Sequence, residues 1–317
     1  MARVLLIKTS SLGDVIHNLP VIHDIRLSLP ACSIDWVVEE TYVSILAAHP
    51  GIDSVVPVAV RRWRRTPWRK CTRDEVRSFI SRLRSETYDA VIDTQGLLKS
   101  ALIGCAAHGP RYGLDWRSAR EPLAWLYERT FRVPWDRHAV ERNRSLVAQA
   151  LGYPVPDTLD YGIRAVKPQF AWLPAAPYVV LLHATSAASK LWPEERWISL
   201  GNCCAAHAQH VILPWGGEKE RARSERLARS IRGSIVPPVL TLGDVMQVLA
   251  GARCVAGLDT GLTHLAAALG VPTVGIFVRT DPVATGLYAR TPAINVGGKG
   301  AMPSVEDVDA ALQRVLA

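Results

Sequence analysis

The chain has 317 residues, of which 49% are hydrophobic and 21% are charged, and this composition is typical of a globular protein with two domains of about 150 residues. No apolar run approaches the ~18 residues of a membrane-spanning helix, and the apolar stretch 1–7 is too short for a signal peptide. Six cysteines without a C-x-x-C motif indicate reduced thiols in a cytoplasmic protein. The net charge of +8 predicts an anionic partner, which is a nucleic acid, a phospholipid headgroup or a phosphorylated substrate.

The first half of the chain alternates short apolar runs with longer amphipathic ones. Strands are predicted at 3–7, 34–38, 54–58 and 90–93, and helices at 15–29, 42–49, 74–85, 97–108, 122–129 and 139–151. A proline-rich stretch at 151–177 indicates a linker, with a domain boundary near residue 160.

The second half repeats this alternation. Strands are predicted at 178–183, 210–214, 254–258 and 273–277, and helices at 193–206, 218–231, 242–250, 261–269 and 305–316. Because alternation of this kind builds parallel sheets, we expect two doubly wound α/β domains, 1–160 and 161–317. Ligands should bind at the carboxyl ends of the strands, in a cleft between the domains.

The first polar cluster, KTSSLGDVIHNLP at 8–20, follows the first predicted strand. Gly13 allows another molecule to approach the backbone closely, and the start of a helix near Asp14 favours negative charge. Ser11 or Asp14 can instead simply cap that helix. Capping explains one of these residues but not the whole polar cluster, so the more specific hypothesis is that Asp14 is a catalytic carboxylate.

Two further clusters follow strands of the second half. After the strand at 178–183, the hydroxyls of Thr185 and Ser186 and the ammonium of Lys190 suit a phosphate, although a plain surface loop is the alternative. After the strand at 210–214, Glu220 lies in the first turn of a helix. Its carboxylate can accept the two hydroxyls of a ribose, or it is a routine first-turn acid favoured by the helix dipole.

The strongest motif is VAGLDTGLTHLAAALGVPTVGIF at 255–277, where a strand leads into Asp259, Thr260 and Gly261. The helix that follows offers backbone amides to an anion, and Thr263 and His264 add donors. The segment lacks the spacing of a P-loop, and no G-x-G-x-x-G opens a βαβ unit anywhere in the chain. These absences disfavour ordinary NTPases and NAD-dependent enzymes.

A basic segment, RRWRRTPWRK at 61–70, carries six cations and two tryptophans. A solvated loop is the simple interpretation. Taken with the polar clusters, however, the chain carries a candidate base in one half and equipment for a nucleotide diphosphate in the other. That combination predicts group transfer.

Several stretches together resemble glycosyltransferase family 9, the lipopolysaccharide heptosyltransferases. They are KTSSLGDVIHNLP, DWVVEE, YDAVIDTQGLLKSA, AREPLAWLY, LPWG and GLDTGLTHLAAAL, and the resemblance extends from residue 3 to about residue 285. It implies a GT-B fold whose last helix packs back on the first domain. It also implies inverting transfer of L-glycero-D-manno-heptose from ADP-L-glycero-β-D-manno-heptose to Kdo of Kdo2-lipid A, with no cofactor and no metal.

The resemblance also assigns roles to individual residues. Asp14 is the expected general base, and Lys190 is expected to stabilise the departing ADP. The expected donor-binding residues are Thr185, Ser186, Lys190, Glu220, Leu240, Asp259, Thr260, Gly261 and His264. The expected acceptor-binding residues are Lys8, Ser10, Ser11, Arg61, Arg64, Arg65 and Arg120.

The acceptor that the resemblance implies is an anionic lipid of the inner leaflet. We therefore expect the basic segment 61–70, with Trp63 and Trp68 as interfacial side chains, to bind the cytoplasmic face of the inner membrane peripherally. A family member that adds the second heptose is the nearest alternative. A nucleic-acid-binding protein would leave the polar strand ends without a role, and a nucleotide-sugar epimerase would normally carry a dinucleotide fingerprint.

Overall fold

The computed structural model describes residues 2–166, 168–185, 187–207 and 210–317. The chain divides into two compact units, Met1–Ile163 and Arg164–Ala317. Each unit has a six-stranded parallel sheet with helices between most successive strands. The two predicted doubly wound α/β domains are therefore confirmed.

The sheet of the first unit has the strand order β3-β2-β1-β4-β5-β6. The strands are β1 (Arg3–Ile7), β2 (Ser33–Glu39), β3 (Ser54–Val58), β4 (Ala90–Asp93), β5 (Arg111–Leu114) and β6 (Arg129–Phe131). The helices are α1 (Leu12–Ile16), α2 (Pro20–Ser28), α3 (Val43–Ala47), α4 (Val60–Trp63), α5 (Lys70–Arg84), α6 (Leu98–Ala106) and α7 (Ala139–Leu151). Leu5, Ile7, Val37 and Val91 on the sheet are buried against Leu83 of α5.

The sheet of the second unit has the strand order β12-β11-β10-β7-β8-β9. The strands are β7 (Tyr178–Leu182), β8 (His210–Ile212), β9 (Ser234–Ile235), β10 (Cys254–Leu258), β11 (Thr273–Phe277) and β12 (Ala293–Gly297). The helices are α8 (Glu194–His207), α9 (Glu218–Ala228), α10 (Leu242–Ala250), α11 (Gly261–Ala268), α12 (Pro282–Thr285) and α13 (Val305–Leu316).

The first half differs from the predicted elements at several places, and α4 and β5 were not predicted at all. The single helix predicted at 15–29 is two helices, because Pro20 has no amide hydrogen to continue α1 and is instead the first residue of α2. The helix predicted at 122–129 is a short 3₁₀ turn, Ala124–Leu126, followed by β6. Pairing of β6 with β5 supplies the backbone hydrogen bonds of this segment, and such long-range pairing is invisible in a local pattern.

The last helix, α13, belongs to the second unit, and its apolar face lies in the core of that unit. Its packing on the first domain, which the resemblance implies, stays a prediction. Val308, Leu312 and Val315 are buried there, and the helix lies against β10, β11, β12 and α8. This amphipathic face covers strands whose buried residues would otherwise be exposed to water.

Candidate active site

The first polar cluster lies at the carboxyl end of β1. Ser11 is the N-cap of α1, and its amide and hydroxyl each donate a hydrogen bond of 2.8 Å to Oδ2 of Asp14. Oδ1 of Asp14 has no hydrogen-bond partner among the described residues, and the side chain is half-buried. The expected helix cap is therefore present, but it uses only one of the two carboxylate oxygens.

Two lysines, Lys99 and Lys8, lie close to this loop and differ in their burial and hydrogen-bond partners. Lys99, in the first turn of α6, donates a hydrogen bond of 2.6 Å to Oγ of Ser10. Partial burial lowers the pKa of Lys99, and the nearby carboxylates of Glu39 and Asp14 oppose that effect. Sequence analysis missed Lys99, although it follows the polar end of β4 in the quoted stretch YDAVIDTQGLLKSA.

Lys8 requires a correction. It was assigned to the acceptor, but it is only 6% exposed, and its ammonium donates to the carbonyl of Thr94 and, at 3.4 Å, to Oδ1 of Asn143. Burial lowers the pKa of Lys8, and the charge of Asp14 opposes this shift. We therefore assign Lys8 to the framework beneath the loop, because an ammonium committed to buried partners does not face a ligand.

The predicted acceptor arginines are exposed side chains of the first unit. Arg61 and Arg64 lie near enough to Lys99 to lower its pKa, and Arg120 has the same effect on Lys8. Arg65 is in the same turn as Arg64, and its amide donates to the carbonyl of Arg62. The structure thus brings three of the four arginines into the electrostatic surroundings of the loop that carries Asp14.

The two tryptophans of the basic segment have different environments. Trp68 is 89% exposed, as an interfacial side chain should be. Trp63 is not: its Nε1 donates a 2.7 Å hydrogen bond to Glu75, and its ring packs edge-on against Phe79 at 5.7 Å. Trp63 is half-buried and bonded within the unit, so Trp68 is the more exposed indole, and the interfacial role of Trp63 stays a prediction.

The second unit brings several predicted donor residues together at the carboxyl end of β10. Oδ2 of Asp259 accepts hydrogen bonds of 2.7 Å from Lys190 and from Thr280, and Oδ1 lies 3.4 Å from Nε2 of His264. Burial raises the pKa of Asp259, but the bonds from His264, Lys190 and Thr280 outweigh burial and hold the pKa well below its usual range. Asp259 therefore remains a carboxylate.

The turn after Asp259 opens α11. Thr260 is the N-cap residue, and its hydroxyl lies 3.3 Å from that of Thr263, which donates to the carbonyl of Leu258. Gly261 is the first residue of the helix. The first amides of a helix have no partner within the helix, so this end of the sheet can hold an anion.

The other donor residues follow neighbouring strands, at the same edge of the sheet. Thr185 follows β7 and is half-buried, whereas Ser186 lies outside the described residues. Glu220 is half-buried in α9, and its Oε2 accepts a 2.7 Å hydrogen bond from the amide of Gly216. Leu240 is half-buried between β9 and α10. Because parallel strands share one carboxyl edge, these residues and the Asp259 turn border the same side of the unit.

Thr280 is a further residue that sequence analysis missed. It follows the carboxyl end of β11, where a polar residue after a buried strand was an available signal. Among the described residues, no group of three His, Cys, Asp or Glu side chains is arranged to hold a metal ion. In the same part of the chain, no helix is both long and apolar enough to cross a bilayer.

Comparison with known proteins gives a consistent result. The family model described as glycosyltransferase family 9 (heptosyltransferase) matches residues 76–313. Lipopolysaccharide heptosyltransferase 1 of Pseudomonas aeruginosa is 49% identical over 293 residues, which is 91% of this chain and 82% of that protein.

Two solved structures of the Escherichia coli heptosyltransferase WaaC are also similar. The structure with ADP has a TM-score of 0.90 at 39% identity and covers 99% of both chains. The structure with ADP-2-deoxy-2-fluoro heptose has a TM-score of 0.86 at 39% identity, covering 98% of this chain and 99% of that one. These likenesses confirm the predicted GT-B fold class.

Proposed function

The chain belongs to glycosyltransferase family 9, the heptosyltransferases, and we propose that it transfers L-glycero-D-manno-heptose from ADP-heptose to Kdo of Kdo2-lipid A. One observation in particular supports this proposal. The two units each carry a carboxylate at the carboxyl end of a central strand, and the environments of Asp14 and Asp259 suit a base and a fixed anchor respectively.

Asp14 is the proposed general base. Its Oδ1 accepts the proton of a Kdo hydroxyl, and the hydroxyl oxygen attacks the anomeric carbon of the heptose from the face opposite the phosphate. The bond between that carbon and the diphosphate oxygen breaks, and ADP leaves with the electron pair, so the configuration inverts. A positioned base of this kind typically contributes 10²–10⁴-fold to the rate.

The second unit is the proposed donor site. Lys190 uses one N–H on Asp259, and an ammonium has three, so two are left for oxygens of the pyrophosphate. Together with the first amides of α11, Lys190 stabilises the charge that grows on departing ADP. The Asp259 carboxylate is suited to heptose hydroxyls, and Glu220 to the ribose. Thr185, Ser186, Leu240, Thr260, Gly261 and His264 complete the proposed donor-binding set.

The first unit is the proposed acceptor site. Ser11 and the exposed arginines Arg61, Arg64 and Arg120 offer donors and positive charge to the Kdo carboxylates and lipid A phosphates. Ser10, which is only 7% exposed, supports this site by accepting a hydrogen bond from Lys99. Arg65 and Trp68 extend this surface toward the headgroups of the inner leaflet. Exposed cations with an exposed indole suit an anionic lipid–water interface, so the protein is proposed to act as a peripheral protein on the cytoplasmic face of the inner membrane.

The choice of acceptor separates this proposal from the nearest alternative. The purified protein is incubated with ADP-heptose and either Kdo2-lipid A, lipid A without Kdo, or Kdo2-lipid A already carrying one heptose. Mass spectrometry should show one added heptose only with Kdo2-lipid A. Addition only to the heptose-bearing acceptor would instead identify an enzyme that adds the second heptose, and no product with any acceptor would refute heptose transfer.

A further inference from the structure

The helix that carries Asp14 is too short to hold its own position. α1 has five residues, Leu12–Ile16, which is barely more than one turn. Isolated helices of this length are unstable in water, because each first turn orders several residues for a single hydrogen bond. The placement of Asp14 must therefore come from contacts with other parts of the first unit.

The side chain of Gln95 binds the backbone of the segment that precedes α1. Oε1 of Gln95 accepts hydrogen bonds from the amide of Thr9 at 3.0 Å and from the amide of Ser10 at 3.1 Å, and it also lies 3.5 Å from the hydroxyl of Thr9. These two amides belong to the chain between β1 and the helix. A carbonyl oxygen after the end of β4 thus binds two successive amides of the backbone that leads to Ser11, in addition to the bonds from Lys99 to the Ser10 hydroxyl and from the Glu39 amide to the Thr9 carbonyl.

Gln95 is itself anchored in the core. Its amide donates a 2.8 Å hydrogen bond to Oδ1 of Asp93, which also accepts from the amide of Gly96 at 3.0 Å. Asp93 is 1% exposed, and its second oxygen accepts hydroxyl groups of Ser100 and Tyr127, each at 2.8 Å. A buried carboxylate with four donors makes the turn that presents Gln95 rigid.

The C-terminal end of α1 is also held by a hydrogen bond from a side chain. Nδ2 of Asn143, on α7, donates a 3.2 Å hydrogen bond to the carbonyl of His17, the C-cap residue of α1. Oδ1 of the same amide lies 3.4 Å from the ammonium of Lys8, which also donates to the carbonyl of Thr94. Lys8 therefore links the two ends, since Thr94 precedes Gln95 in the chain.

We infer that Gln95 and Asn143 are positioning residues that clamp α1 at its two ends and so set the location of the Asp14 carboxylate. The inference rests on the proposed function, because the position of Asp14 affects turnover only if Asp14 acts as the base. Neither side chain is required to touch the substrate. A displacement of about 1 Å at a reacting group can cost on the order of 100-fold in rate, so the clamp should matter to turnover.

The test removes the side-chain oxygen of Gln95 that binds the two amides, and it measures kcat and KM separately. Gln95→Leu should lower kcat about 10- to 100-fold and change KM for ADP-heptose by less than about 2-fold, because the donor residues belong to the second unit. Gln95→Glu keeps an oxygen that can accept both amides, so it should recover kcat to within about 3-fold of the parent. Gln149→Leu is the matched control, since Gln149 is an exposed glutamine on α7.

Asn143→Leu tests the other end and should lower kcat in the same way, again with KM for the donor retained. If Gln95→Leu fails to fold, Gln95→Asn replaces it in the test, because the shorter asparagine side chain does not reach the amides of Thr9 and Ser10. Parent-like kcat in a folded variant that lacks the Gln95 bonds, or equal losses in the Leu and Glu variants, would overturn the inference. Asp14→Ala is measured alongside: if that variant keeps its turnover, the proposed base is wrong instead.

Discussion

Asp14 and Asp259 are the same residue type in the polar loops that follow central strands of the two units, but their surroundings differ. Asp14 lies in the first turn of α1, and Asp259 directly precedes the N-cap of α11. Asp14 accepts hydrogen bonds only from Ser11, and no ion pair joins it to another described residue. Asp259 is bonded to Lys190, Thr280 and His264.

This difference suits the roles proposed for the two carboxylates, proton acceptance by Asp14 and binding by Asp259. A carboxylate held by a cation and two further donors has a depressed pKa and is a poor proton acceptor. A carboxylate with one oxygen uncommitted can take a proton from a substrate at that oxygen. Pairs of like groups in unlike environments often mark such a division of roles in enzymes.

The largest expected effect is that of Asp14→Ala on turnover. We expect kcat to fall about 100-fold or more, because the variant has no base, while the thermal unfolding midpoint changes little. The matched control is Asp307→Ala, because Asp307 accepts the same two bonds from Ser304 at the start of α13. A helix-capping role alone would make the two variants equal in kcat, which steady-state kinetics would reveal.

The next effect should come from Lys190→Gln in the second unit. Removing this cation takes charge stabilisation from departing ADP, so kcat should fall about 10-fold or more and KM for ADP-heptose should rise. Lys299→Gln, at an exposed lysine of the same unit, is the control. Unchanged kcat and KM in Lys190→Gln would remove the donor role and leave Lys190 as a structural partner of Asp259.

A smaller effect is expected on membrane binding. Replacing Arg64 and Arg65 together by glutamine should weaken sedimentation with anionic phosphatidylglycerol vesicles several-fold at low salt, and less at high salt, because screening already weakens the parent. Arg229 and Arg232, two exposed arginines of the second unit, supply the control double variant. Equal vesicle binding by both double variants would contradict a docking surface on the first unit.

The smallest effect concerns stability, and it involves one buried histidine in each unit. Burial lowers the pKa of His49 in the first unit and of His183 in the second to about 4. Because the pKa of each histidine is lower in the folded protein than in the unfolded chain, the unfolded chain takes up protons first as pH falls. The contribution of each to the free energy of unfolding is therefore complete above about pH 6.5 and decreases between pH 6.5 and pH 4.

The expected loss is about 2 kcal/mol per histidine between pH 7 and pH 5. Denaturant titrations at the two pH values should show this loss in the parent. The loss should be reduced in His183→Gln and in His49→Gln, whereas His108→Gln, at an exposed histidine, should keep the parent behaviour. If a histidine variant loses as much stability between pH 7 and pH 5 as the parent does, the histidine that it replaces does not have a lowered pKa in the folded protein.

Local sequence was sufficient to predict the doubly wound class and the polar strand ends. Strand and helix periodicities differ, and parallel strands buried on both faces are continuous apolar runs, so β1, β10 and β11 were predicted with the bounds that the structure shows. The motif after β10 was likewise recognisable, because a glycine and small polar residues at that position have few purely structural explanations. Short edge strands such as β6 and β9 lacked such a pattern.

Long-range contacts decided how each of these residues is used. Lys8 is buried on Thr94 and Asn143, whereas Lys99 reaches Ser10, and these partners are 86 to 135 positions away in the chain. Trp63 and Trp68 are five positions apart, yet contacts with Phe79 and Glu75 make Trp63 half-buried, whereas Trp68 is exposed. Burial and hydrogen-bond partners are properties of the folded neighbourhood, so composition and spacing locate the candidate residues, while only their packing shows which carboxylate remains available to react.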